Sequence, residues 1–142
     1  MELIIDASIL FTALIGTGVT KDIMFSEEVT LYAPEYLFDE FAEHQKRVEE
    51  LSGLTANDFE SLLDKLKLVI KPVPKEQFEK FLEEAYKMVS AKGDTEYIAL
   101  SLSMNKVPVW SNDMHFKKQS AIKVFDTAEL VSYLKSSGTL FA

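Results

Sequence analysis

Two acids in this chain stand at the carboxyl ends of strongly apolar runs. Asp6 closes Leu3-Ile4-Ile5, and Asp113 follows a run ending at Trp110 through Ser111 and Asn112. A short continuous apolar run fits a strand buried on both faces of a parallel sheet. In open α/β sheets the binding crevice lies at the carboxyl ends of the strands. A lone buried carboxylate is costly unless a cation or hydrogen-bond donors compensate it. Asp6 and Asp113 are therefore candidate ligands, and Asp6 is equally suited to capping a following helix. Two further acids belong to helical segments. Glu40 shares a stripe with Leu37, Phe41, His44, Val48 and Leu51, so it leans inward or snorkels from the stripe's border. Asp94 opens a largely apolar helix, as a site residue or as an N-cap.

If the strands ending at Asp6 and Asp113 are neighbours, their carboxylates converge on one sheet edge, and Glu40 and Asp94 could complete a ring. Like charges at that range repel, and a divalent ion relieves the repulsion. Oxygen ligands suit a hard cation such as Mg²⁺ or Mn²⁺, which also suits phosphate substrates. The chain has no cysteine and two histidines without ligand spacing, which argues against a zinc site. His44 and His115 read as core-edge or surface residues. Ser8, Ser111 and Asn112 could orient the acids or bound waters, or serve ordinary loop-end roles. The chemistry such a ring supports is metal-assisted phosphodiester hydrolysis.

The elements that must position these residues alternate between strand and helix, which indicates an α/β fold on a mainly parallel sheet of about five strands. After the first strand a helix begins at Ile9–Leu14, Gly16 and Gly18 break it, and Lys21–Phe25 forms a short second one. Leu31–Ala33 is a strand, and Pro34 suits the first turn of a helix running to about Leu51. Thr55 and Asp58 suggest a capping box before a helix over Ala56–Lys67. Leu68–Ile70 reads as a third strand, Glu76–Ala91 as one amphipathic helix and Tyr97–Asn105 as a buried helix. Lys106–Trp110 and Lys123–Phe125 complete the strands. Asp126 with Glu129 matches a capping box, so Asp126 stays outside the site. Leu140 and Phe141 in the tail suggest docking or a partner contact.

The 142 residues suit a single domain spanning 1–142, and 47% hydrophobic residues is a globular composition. There is no membrane-length apolar run and no signal-peptide pattern, so a soluble cytoplasmic protein is expected. The formal net charge is −8 and Arg47 is the only arginine. That argues against a broad basic nucleic-acid surface, though metal ions can neutralise carboxylates locally.

With these residues in view, the chain resembles the PIN-domain family, including the toxin ribonucleases of prokaryotic toxin–antitoxin pairs. The likeness is carried by Ile5-Asp6-Ala7-Ser8, by Ala33-Pro34 leading into Leu37–Phe41, by Gly93-Asp94-Thr95-Glu96 leading into Tyr97–Leu102, and by Pro108–Phe116. It implies a three-layer α/β/α sandwich and Mg²⁺- or Mn²⁺-dependent RNA cleavage, with Asp6, Glu40, Asp94 and Asp113 lining the metal site. It also implies that Ser8 and Ser111 are the small hydroxyls beside the first and last acids, with Glu96 a lesser acidic candidate. A homodimer and a small antitoxin protein are the partners it implies. The scarcity of arginine departs from what RNA binding would favour. It motivates a second expectation, a non-catalytic PIN-like binding or scaffold module. A phosphotransfer receiver or small phosphatase fits less well, because the chain lacks paired acids after its first strand.

Overall fold

The computed structural model describes residues 1–16, 18–91 and 93–138. One sheet of five parallel strands forms its centre: β1 (Glu2–Ile5), β2 (Thr30–Pro34), β3 (Ile70–Val73), β4 (Val109–Trp110) and β5 (Val124–Phe125). Parallel neighbours need crossover connections, and helices supply them. Among the described residues these are α1 (Ala7–Ile15), α2 (Val19–Met24), α3 (Tyr36–Glu43), α4 (Gln45–Ser52), α5 (Ala56–Val69), α6 (Leu82–Met88), α7 (Thr95–Ser103) and α8 (Thr127–Ser136). The architecture is an α/β sandwich, as the alternation of elements indicates. No helix among the described residues is long and apolar enough to cross a membrane.

The strand order β3-β2-β1-β4-β5 reverses direction at β1. This puts a topological switch point between β1 and β4, where the carboxyl ends of an open sheet leave a crevice. Leu3, Ile4 and Ile5 are each 0% exposed, which explains their unbroken apolar character. Burying each such side chain contributes about 1.5–3 kcal/mol. Ile5 pairs in register with Trp110, so the next residues of the two strands, Asp6 and Ser111, emerge side by side. Trp110 is fully buried and its indole N–H donates to Thr127 Oγ1 at 3.1 Å. The amphipathic indole is thereby satisfied at its polar end. α7 packs across β2, β1 and β4, which accounts for the apolar residues around its circumference and carries its N-terminus to the same sheet edge.

Several boundaries differ from the sequence-based expectation. Pro34 is the last residue of β2, in register with Val73, and the following Glu35 N–H donates to the Val73 carbonyl. A proline, which has no N–H to donate, suits a strand end as well as a helix start. The helix expected up to Leu51 is two helices. At His44 the N–H turns back to the Phe41 carbonyl and φ/ψ become −102°/15°. The break resets the helical phase, so Leu37, Phe41 and Val48 are buried while His44 and Leu51 are exposed. α4 ends at Gly53, whose φ of +74° is costly for residues with a Cβ. α5 runs through Leu68 and Val69, and β3 starts at Ile70 and accepts Pro72 because it is an edge strand. The segment expected as one helix from Glu76 is two 3₁₀ turns, Lys75–Gln77 and Glu79–Phe81, before α6. Phe78 sits between the turns at φ −125° and 1% exposure, so its burial interrupts helical geometry, and Tyr86 points outward. Leu140 and Phe141 lie outside the described residues.

Candidate active site

Asp6 is 5% exposed. Its Oδ1 accepts from the Ser8 hydroxyl at 2.6 Å and from the Ile9 N–H at 3.3 Å, and its Oδ2 accepts from the Ser111 hydroxyl at 2.5 Å. The capping reading of Asp6 is realised: Oδ1 caps α1 while Oδ2 is held by Ser111 after β4. Burial pushes its carboxyl above the usual range and the nearby Asp113 adds to this, against the pull of the Ser111, Ser8 and Ile9 donors. Both serines also accept from the loop after β4. The Asn112 N–H donates to Ser8 Oγ at 3.2 Å and the Asp113 N–H to Ser111 Oγ at 3.0 Å. The hydroxyls thus tie the buried carboxylate to the backbone carrying Asp113. Asn112 turns its side-chain oxygen away from the acids, accepting from the Thr127 N–H and hydroxyl at the start of α8.

Asp113 caps the 3₁₀ helix Met114–Lys118. Its Oδ1 accepts the His115 N–H at 2.9 Å and lies 2.7 Å from His115 Nδ1. Asp94 occupies the N-cap position of α7, yet its side chain makes no capping hydrogen bond. The capping alternative is therefore not realised, and this half-buried carboxylate is left facing other acids. Burial raises its pKa to about 6, with Asp113 and Asp6 adding to the rise and His115 opposing it. One ligand atom from each of Asp94, Asp113 and His115 lies within 4.8 Å of the others.

The remaining expected residues stand around this group. Asp6 lies one layer deeper, joined through Ser111. Glu40 is exposed on α3, because Leu37, Phe38 and Phe41 take the inward positions; of its two readings, the one at the solvent border of the stripe is found. It stands at the rim between two depressions, one lined by Ala7, Ser8, Phe11 and Phe41, the other by Tyr36, Asp39, Glu43 and Glu96. Glu96, in the first turn of α7, faces that second, acidic depression. Asp126 forms both halves of its capping box with Glu129 and accepts from Lys117 at 3.4 Å, while Lys117 also pairs with Glu129.

Sequence reasoning missed two residues. His115, read as a surface residue, belongs to the close group; the signal for it was its position two residues after an acid at a strand end. Tyr97, read as a core residue of α7, is 4% exposed with its ring between Tyr36 and Phe116. Its hydroxyl stands beside that of Tyr36, which donates to the Gly93 carbonyl, and makes no hydrogen bond of good geometry among the described residues. Burial and the neighbouring Tyr36 push the Tyr97 hydroxyl far up, and Asp6 and Glu40 lie close enough to contribute.

Among the described residues, neither Lys nor Arg forms an ion pair with Asp6, Asp94 or Asp113. The donor set fits a divalent cation. Carboxylate oxygens are the ligands that a hard divalent ion such as Mg²⁺ or Mn²⁺ takes. The family model of the PIN domain matches residues 4–135. Comparison with curated proteins finds no match. PIN domains have a nuclease-type fold and typically use divalent metals. The match takes in all five strands apart from the first two residues of β1, and every acid at the switch point: the chain belongs to the PIN-domain family.

Proposed function

We propose that this protein is a Mg²⁺- or Mn²⁺-dependent endoribonuclease that hydrolyses RNA phosphodiesters at the carboxyl edge of β1 and β4. The observation that carries this reading is the meeting of Asp94, Asp113 and His115 at the switch point, where no Lys or Arg among the described residues pairs with the acids. Asp94 and Asp113 would hold the ion. Asp6, clamped by Ser8 and Ser111, fixes the backbone that presents Asp113. His115 orients Asp113 through its ring nitrogen, as a carboxylate's hydrogen-bonded neighbour does in metal sites. Glu40 and Glu96, further out, are placed to bind waters or further ions at the rim. When bound, a divalent ion polarises a phosphoryl oxygen and lowers the pKa of a coordinated water.

The test is cleavage of single-stranded RNA with Mn²⁺ or Mg²⁺. Asp94→Asn and Asp113→Asn are expected to lower kcat by at least about 100-fold, the scale of a lost electrostatic catalytic group. Unchanged rates in both would refute the reading. A toxin role, neutralised by an antitoxin protein, and a homodimer follow from the family likeness; growth arrest on expression and sedimentation test them. A second reading, a non-catalytic module, draws support from the acidic depression lined by Asp39, Glu40, Glu43 and Glu96, which repels a polyanion. Cleavage that copurifies with the protein and disappears in the acid variants excludes it.

A further inference from the structure

We propose that the cavity between α1, α3 and α4 is a nucleoside subsite for the single-stranded RNA nucleotide beside the scissile phosphate. This deepens the nuclease reading and rests on it. The cavity has a volume of about 480 Å³ and is lined mainly by apolar atoms of Ala7, Phe11, Thr12 and Phe41, with Ser8, Glu40, His44 and Arg47 completing it. Phe41 is fixed by stacking on Phe59 and meets half-buried Phe11 edge-on at 6.3 Å. The Thr12 hydroxyl is spent on the Ser8 carbonyl, and the Ser8 hydroxyl on Asp6. The floor is therefore apolar and aromatic, the surface on which unpaired bases are held.

The cavity mouth supplies the complementary charge. Arg47 is the sole arginine in a chain of net charge −8. Glu43 and Glu50 stand at helical pairing distance along the sequence, yet the Arg47 side chain forms no ion pair or hydrogen bond among the described residues. The break at His44 separates Glu43 from α4 and leaves Arg47 at the cavity with His44. A guanidinium is suited to bidentate phosphate binding and to stacking on a base. Glu40 offers an acceptor to a base amino group. Ser8 provides continuity, since its hydroxyl holds Asp6 while the residue also lines the cavity. A strand cleaved beside Asp6 would pass this opening at its next nucleotide. An apolar protein segment could also fill such a cavity, but it would not call on the lining guanidinium of Arg47, which is unpaired among the described residues.

The experiment measures kcat/KM on a short RNA containing one cut site, with an abasic residue placed in turn at each position flanking the cut. For the wild type, one abasic position is expected to cost about tenfold, the lower range for losing a stacked base. In Arg47→Ala and Phe11→Leu that position should cost little, because the intact RNA is already poorly held, while Arg47→Lys recovers part of the loss through KM. Exposed Arg47 can be changed without disturbing the fold, so failure of Phe11→Leu to fold leaves the test intact. Abasic penalties identical in wild type and Arg47→Ala, or absent throughout, overturn the subsite while the nuclease reading stands, and leave the cavity to a protein partner. Wild-type protein that cuts no RNA overturns both.

Discussion

Asp94 is the residue whose protonation most directly reports on the site. A carboxyl with an unfolded pKa near 3.9 and a folded value of about 6 binds its proton more tightly in the folded state. Its stabilising contribution is therefore complete below about pH 4 and is lost as the pH rises through about 6. Melting curves in EDTA should show a stability component that declines across this window in wild type and is missing in Asp94→Asn. At pH 7, Asp94→Asn should melt higher than wild type without metal, and Mn²⁺ should raise the melting temperature of wild type more than that of the variant. A flat wild-type profile, or equal Mn²⁺ effects, contradicts the assignment. Asp94 and Asp113 were legible in the sequence because each stands at an element boundary where a charged side chain needs a reason. His115 was not, because two residues separate an acid from a histidine in many surface turns, and only the 3₁₀ turn after Asp113 brings the ring back onto the carboxylate. Tyr97 was hidden by its own apolar neighbours: periodicity registers the ring and is blind to where a hydroxyl ends.

Among the elements, those with a strong local signal matched and those with a weak one did not. Asp126 and Glu129 announced a helix start, and both reciprocal bonds are present, with the Glu129 N–H the main influence holding the Asp126 carboxyl below its usual range. Asp126→Ala is expected to cost about 1 kcal/mol of folding stability, measured by urea denaturation. It should leave RNA cleavage unchanged, since α8 lies outside the acid group. A loss of cleavage beyond twofold would show that Asp126 serves the site after all. β1 was equally plain, because three consecutive buried aliphatic residues allow few alternatives. The single helix expected over residues 34–51 failed at His44, and the one expected over 76–91 failed at Phe78. In both, apolar spacing compatible with a continuous helix was satisfied by two shorter pieces, and tertiary burial decided between them. Glu40 shows the same effect at a functional position, since the phase of its helix depends on where that helix ends.

For the molecule as a whole, the charge balance governs how RNA would be held. With 15 basic against 23 acidic residues, few phosphates can be neutralised by side chains. Each phosphate neutralised on a single strand contributes about −0.7 to the slope of log affinity against log salt. A subsite with Arg47 as its main cation predicts a slope of about −0.7, measured by fluorescence anisotropy between about 50 and 200 mM salt. A slope several times steeper would mean that a basic surface other than Arg47 holds the RNA. Held in this way, RNA would draw its affinity from the ion and the aromatic floor, and binding as well as cleavage would depend on divalent metal.

The pairing of Ile5 with Trp110 has a consequence for which alterations this chain tolerates. Side chains on a strand alternate between faces, so a single inserted or deleted residue within 3–6 or 109–111 would send Asp6 or Ser111 to the opposite side and leave the other without its counterpart. The connection at 26–28, outside the strands and helices, carries no such counting constraint. Changes in length accumulated in this connection would leave the acid group in place, whereas a shift of one position beside the central pair would dismantle it.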